Sequence, residues 1–423
     1  MSKPITAAEI EARYRNSYGR AAGYLPGDRR AVEAWQADLA RRARARTDGH
    51  VPSVQKLAEL LGKDKELADL VTQTVKEALR LHDQGVRNTE EMLAALDLVT
   101  GTAPEYRLDP KQRIFFPMSA LFVYMMATKS GNEFFKHQQF NKALRGILKA
   151  WCEFLDSPRS RYVLHDGPEG WLGQAAYEQF KLYEFDYRPE AAYGGFASYN
   201  AFFHRPIKPE FRPNGALHDL RAVVSANDGK VVRVYPNAQL DVPKIEVKAQ
   251  PYSLDLMLGK YRKKGDFAGG DILQSFLSGA DYHRWHAPVD GVVEYVEKVP
   301  GLQFSELYDT DHVDPSAGTL SQGYQANVNT RGIVVIRSES PDIGKVCVVP
   351  VGITEISSVD ITVQEGDRVT RGDEIGRFSY GGSSMCLVFQ PGRVEFTVPP
   401  GRKDVVGDDG APVFVNGTIA RAK

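Results

Sequence analysis

The sequence predicts an α+β fold: a helical N-terminal domain followed by an antiparallel, β-rich domain of barrel or sandwich form. Three observations predict it. Apolar residues recur at helical spacing through residues 1–160. Residues 161–221 form a connector rich in Tyr and Phe. From residue 222 to 423 the apolar residues fall in short β-branched runs separated by Gly and Asp-Gly turns. The 423 residues, 42% hydrophobic and 25% charged, suffice for two or three domains with a sizeable core.

Taken in order, the first thirty residues hold Glu9, Glu11 and Asp28 and no apolar core, so no signal peptide is expected. Over 64–79, Leu67, Leu70, Val71, Val75, Ala78 and Leu79 share one helical face, with Asp64 as the N-cap. A second helical stretch is expected over 132–154. The most apolar run, 114–127, has 14 residues against the roughly 20 a membrane span needs, and it contains Pro117 and Ser119. It reads as a buried helix. Strands are expected at 230–234, 292–296, 333–336 and 346–349. The segments at 287–293 and 363–373 resemble pieces of biotinyl and lipoyl carrier domains, but no Met-Lys pair accompanies them.

Composition excludes some functions. Lys plus Arg is 53 and Asp plus Glu 54, so the net charge of −1 favours neither nucleic acid nor an anionic membrane. Three scattered cysteines, Cys152, Cys347 and Cys386, fit a reducing cytoplasm better than a disulfide framework.

Three segments carry chemistry. Tyr380-Gly381-Gly382-Ser383-Ser384-Met385 lies between strand-like runs. On its own a Gly-Gly-Ser-Ser run is a turn. It would also suit one reaction, in which a serine hydroxyl attacks the carbonyl before it, where glycine hinders least. The resulting ester can eliminate to dehydroalanine, which tautomerises and hydrolyses to a pyruvoyl group with release of ammonia. Such a serine needs a base. Asp281-Tyr282-His283-Arg284-Trp285-His286-Ala287-Pro288 offers two histidines three apart. They would equally serve as structural histidines, whereas Pro288 and the lack of a third ligand nearby argue against a metal pair. Ser225-Ala226-Asn227-Asp228-Gly229-Lys230 is a hairpin turn, or places Asp228 to orient a histidine base. Spacing leaves these alternatives open. Phe202, Phe203, Tyr282 and Trp285 are candidates for an aromatic, substrate-binding wall, or for core.

Together these segments resemble the pyruvoyl-dependent phosphatidylserine decarboxylases from about Tyr199 onward. The likeness rests on Phe202-Phe203-His204-Arg205, Ala226-Asn227-Asp228-Gly229, the Tyr282 to Pro288 motif and Gly382-Ser383. The helical N-terminal domain and His283-Arg284-Trp285-His286 resemble the branch of that family containing the tryptophan decarboxylase of the psilocybin pathway. The resemblance implies autocatalytic cleavage between Gly382 and Ser383, giving chains of 382 and 41 residues from the 423. It implies a pyruvoyl cofactor made from Ser383, with no pyridoxal phosphate and no metal. Asp228 and His286 would complete the self-processing triad, and His283 would assist substrate binding or decarboxylation. The expected reaction is decarboxylation of an α-amino acid, an aromatic one such as tryptophan first, through a Schiff base. The alternatives are phosphatidylserine as substrate and a non-enzymatic binding or carrier module.

Overall fold

The computed structural model describes residues 25, 29–241, 252–279, 281–306, 321–355, 358–398 and 411–423. The described residues open with helices α1 (Arg29–Arg44), α2 (Pro52–Lys63), α3 (Lys65–Leu81), α4 (Thr89–Thr100), α5 (Pro117–Met126), α6 (Lys129–Phe134) and α7 (Gln138–Asp156). The aromatic-rich stretch holds 3-10 turns and two short helices, α8 (Gln174–Gln179) and α9 (Tyr199–Phe203).

Strands follow: β1 (Ala222–Val224), β2 (Gly229–Ala238), β3 (Gly270–Leu277), β4 (Arg284–His286), β5 (Gly291–Val299), β6 (Arg331–Ser338) and β7 (Lys345–Ile353). The rest are β8 (Val359–Ile361), β9 (Arg368–Val369), β10 (Glu374–Phe378), β11 (Gly382–Phe389), β12 (Val394–Phe396), β13 (Pro412–Val413) and β14 (Thr418–Ala422). All four expected strands are present, within β2, β5, β6 and β7. Eight strands form a curled antiparallel half-barrel in the order β13-β2-β3-β11-β7-β6-β5-β9. Two small sheets, β1-β14-β12 and β4-β10-β8, make up the rest of the β part among the described residues.

Local chemistry explains the helices. Asp64 caps α3 by accepting from Leu67 N at 3.0 Å. The 114–127 run becomes α5, with Pro117 in its first turn and every residue buried. No helix among the described residues is long and apolar enough to cross a membrane. The helix expected over 132–154 is two helices. The chain turns at 135–137, where the Asn141 amide donates to the carbonyls of Phe135 and His137.

One apolar core joins the helices to the sheet. Phe122 of α5 and Leu144, Leu148 and Trp151 of α7 share a cluster with Val349 of β7 and Cys386 and Val388 of β11. The opposite side chains, Val348, Met385 and Leu387, meet Trp285, Phe378 and Ile419 from the small sheets. Successive residues of β11 thus enter different cores, as the two-residue strand period requires. A sheet covered on both faces explains why these strands read as almost continuous apolar runs.

Candidate active site

Ser383 stands at the second position of β11, fully buried, level with Leu277 of β3 on one side and Gly352 of β7 on the other. After β3 the chain turns, and Ser278 N donates to Asp281 Oδ2 at 2.6 Å. The turn brings His283 back over the strand end, with Nε2 2.9 Å from Ser278 O. A carbonyl only accepts, so Nε2 carries the proton and Nδ1 presents a lone pair. That lone pair lies 3.4 Å from Ser383 Oγ. The spacing is loose, as it commonly is before a reacting group closes in. Burial pushes the His283 pKa down to about 3, which keeps the ring neutral. The Phe203 ring stacks on it at 3.9 Å between centroids and 20° between planes, fixing its orientation.

The neighbouring serine is engaged differently. Ser384 points to the other face, donates to Ser275 O at 2.8 Å and accepts from the Gln274 amide at 2.9 Å. Ser383 carries the hydroxyl aimed at a base. Two residues upstream of Ser383, Gly381 has φ 142°, a backbone angle that favours glycine.

His286, on β4, stands one layer away. Its Nδ1 donates to Gly372 O at 2.7 Å, and its Nε2 accepts from Tyr282 OH at 2.8 Å. Burial lowers its pKa, opposed by the Gly372 hydrogen bond and by the charges of Glu374 and Asp228. Asp228 accepts from Arg212 Nε at 3.1 and 3.0 Å and from Val415 N at 2.8 Å. The Asp228 turn and His286 are tied by the backbone, through His286 N to Ala226 O at 2.8 Å. The described hydrogen bonds join His283 to Ser383, and join neither His286 nor Asp228 to it.

Of the aromatic candidates, Phe203 faces His283, while Phe202 packs with Trp171, Phe196 and Tyr199. Trp285 lies in the second core against Phe378. Tyr282 lines an open cavity of about 530 Å³ together with Asp228, Lys230, Arg212, Phe185 and Phe414.

Two residues to which the sequence reading gave no role shape the site. Asp281 is half-buried, and desolvation pushes its carboxyl up to about 6 while it holds the turn beneath His283. Its signal was its place two residues before His283 in the motif. Arg212 bridges Asp228 and Glu184, the latter at 3.0 Å. Its distance in sequence from both partners gave no signal.

Comparison with known proteins identifies the family. A family model described as phosphatidylserine decarboxylase matches residues 199–410, and a second of the same description matches 51–180. Decarboxylase iboD of Amanita muscaria is 34% identical over 324 residues, covering 72% of this chain and 91% of that protein. The L-tryptophan decarboxylase of Psilocybe cubensis is 32% identical over 327 residues, covering 71% of this chain and 72% of its own. Phosphatidylserine decarboxylase proenzyme 3 of Schizosaccharomyces pombe is 32% identical over 204 residues, 48% of this chain and 20% of its own. The matches define a carboxy-lyase. The chain belongs to the phosphatidylserine decarboxylase family.

Proposed function

We propose that the chain is made as a precursor that cuts its own Gly382–Ser383 bond and then decarboxylates a free α-amino acid, with aromatic amino acids the first candidates. The observation that carries this reading is the approach of Ser383 Oγ to the neutral Nδ1 of His283 at a Gly-Ser bond. Relatives named proenzymes support it.

In the proposed maturation, Ser383 Oγ releases its proton toward His283 Nδ1 and attacks the Gly382 carbonyl. The peptide C–N bond breaks and an ester forms. Loss of the Ser383 Cα proton expels the Gly382 carboxylate and leaves dehydroalanine. Tautomerisation and addition of one water release ammonia and leave the pyruvoyl group. The residues present fit this group: the serine is buried, a base faces it and a glycine precedes it. The pyruvoyl carbonyl supplies the sink for electrons of the breaking C–CO2 bond.

His283, held by Ser278 and Phe203, moves protons at this position in both stages. Asp228 and His286, which the resemblance implies as triad members, act in this proposal by holding the adjoining turn. Arg212 neutralises Asp228 there. Matches to the amino-acid decarboxylase of Psilocybe cubensis extend over 71% of the chain, against 48% for the phosphatidylserine enzymes. That difference supports a free amino acid over a lipid head group.

The test is intact mass under denaturing conditions for wild type and Ser383→Ala. Chains of 382 and 423 − 382 = 41 residues, the shorter with a blocked N-terminus, are expected from wild type alone. A wild type that stays whole refutes the reading. Turnover of tryptophan, tyrosine and phenylalanine, beside phosphatidylserine in detergent, then assigns the substrate.

A further inference from the structure

Three chain segments border the Gly382–Ser383 bond, and all three are gripped by the same short stretch of the helical half, residues 115–119. The first is the segment entering β11. Tyr380 is buried, its hydroxyl donates to Phe115 O, and its ring stacks on Phe116 at 6.5 Å and 19°. Trp151, Tyr199 and Phe203 close the box around that ring with edge contacts at 5.3, 5.6 and 5.4 Å.

The second is the segment leaving β7. Gly382 pairs with Ile353, and two residues later the Glu355 carboxylate accepts from Ser119 N and Ser119 Oγ, both at 2.7 Å. Ser119 lies in the first turn of α5, where unpaired amides and the helix dipole favour a carboxylate. Thr354, between them, adopts φ 54°. The third is the turn leaving β3. Gly279 follows Ser278, the residue that holds His283, and a Cβ built on Gly279 would meet the Phe116 ring at 2.6 Å. The Phe116 ring thus touches both the turn that aims the base and the segment that precedes the scissile bond.

We propose that residues 115–119 are a positioning element for self-cleavage: by fixing the three segments around Gly382–Ser383 they set the approach of Ser383 Oγ to the Gly382 carbonyl. The helical half then takes part in maturation. Phe116, Ser119, Glu355 and Tyr380 act through Ser383 and His283 and touch no reacting atom. This inference rests on the self-processing reading above.

The test follows release of the 41-residue chain from freshly made precursor by mass spectrometry, for wild type, Phe116→Ala, Glu355→Ala, Glu355→Gln and Tyr380→Phe. Displacement of a reacting group by about 1 Å costs on the order of a hundredfold, so the two alanine variants are expected to cut roughly ten- to a hundredfold more slowly. Glu355→Gln, whose amide oxygen still accepts from Ser119 N, recovers most of the rate. Added hydroxylamine, which cleaves esters, releases no short chain from the stalled precursors, because the acyl shift itself is slowed. Alanine variants that cut at the wild-type rate, whatever their melting temperature, overturn the proposal. So does rapid hydroxylamine cleavage of the stalled precursors, which places the defect after the shift. Should the alanine variants fail to fold, Tyr380→Phe decides. Slower cutting at an unchanged melting temperature supports the proposal, and the wild-type rate overturns it. A wild-type precursor that is never cut fails the self-processing reading itself, whereas a wild type and variants that cut alike fail only this inference.

Discussion

Burial and a single backbone carbonyl decide the state of His283. The Ser278 oxygen fixes its tautomer, and desolvation holds its pKa near about 3. His204, also desolvated and facing Arg377 and Arg284, is lowered to about 4. Both titrate at about 6.5 when unfolded. A depressed folded pKa means the unfolded chain takes the proton first. The stability they contribute is therefore complete above 6.5 and is lost as pH falls toward 4 and then 3. Asp281 has the opposite sign: raised to about 6 from 3.8, its contribution is complete below 3.8 and lost as pH rises through 6. Two histidines oppose one aspartate, so the melting temperature is expected to fall from pH 6.5 to pH 4, and His204→Gln to flatten that fall. A thermal melt series over this range checks both. The two serines separate by mutation as well. Under the self-processing proposal, Ser384→Ala is expected to cost about 1–2 kcal/mol through its lost hydrogen bonds while the chain is still cut, and Ser383→Ala to abolish cutting. Urea midpoints and intact masses of the two variants test this.

At the scale of elements, the chain states its helices through caps and periodicity and its strands through β-branched runs. Asp64→Ala should cost about 1 kcal/mol by exposing the first turn of α3, read as a shift in the urea midpoint. The β4–β10 pair depends on a glycine whose need is invisible in the sequence. A Cβ on Gly376 would meet the Trp285 ring at 2.2 Å and Asp360 O at 2.5 Å, the latter a backbone atom that cannot swing aside. Gly376→Ala is expected to destabilise by about 1–3 kcal/mol or more and to loosen β4, which carries His286. Denaturant unfolding measures the first effect and a changed cutting rate the second. The β-strands and the motif residues were legible because each is a local pattern. The break at 135–137 was not, since Phe134, Phe135 and Phe140 keep an apolar pattern across it while their rings cluster around the turn.

At the scale of the molecule, the helices and the half-barrel share one core, with Phe122 and Trp151 in the same cluster as Val349 and Cys386. A chain shortened to begin at residue 204 would lose the helices and bare that face of the sheet, an apolar surface of the kind that aggregates. It is expected to be insoluble or uncut, as fractionation and mass analysis would show. The sequence by itself determined the α+β class, the strand runs and the Asp64 cap, and it singled out Asp228, His283, His286 and Ser383 as candidates, because periodicity and motif chemistry are written in neighbouring residues. Only the tertiary structure decided that His283 meets Ser383, that Arg212 holds Asp228, and that Ser119 binds Glu355. Those pairs lie 100, 16 and 236 residues apart, and the folded sheet and its helical cover bring them together.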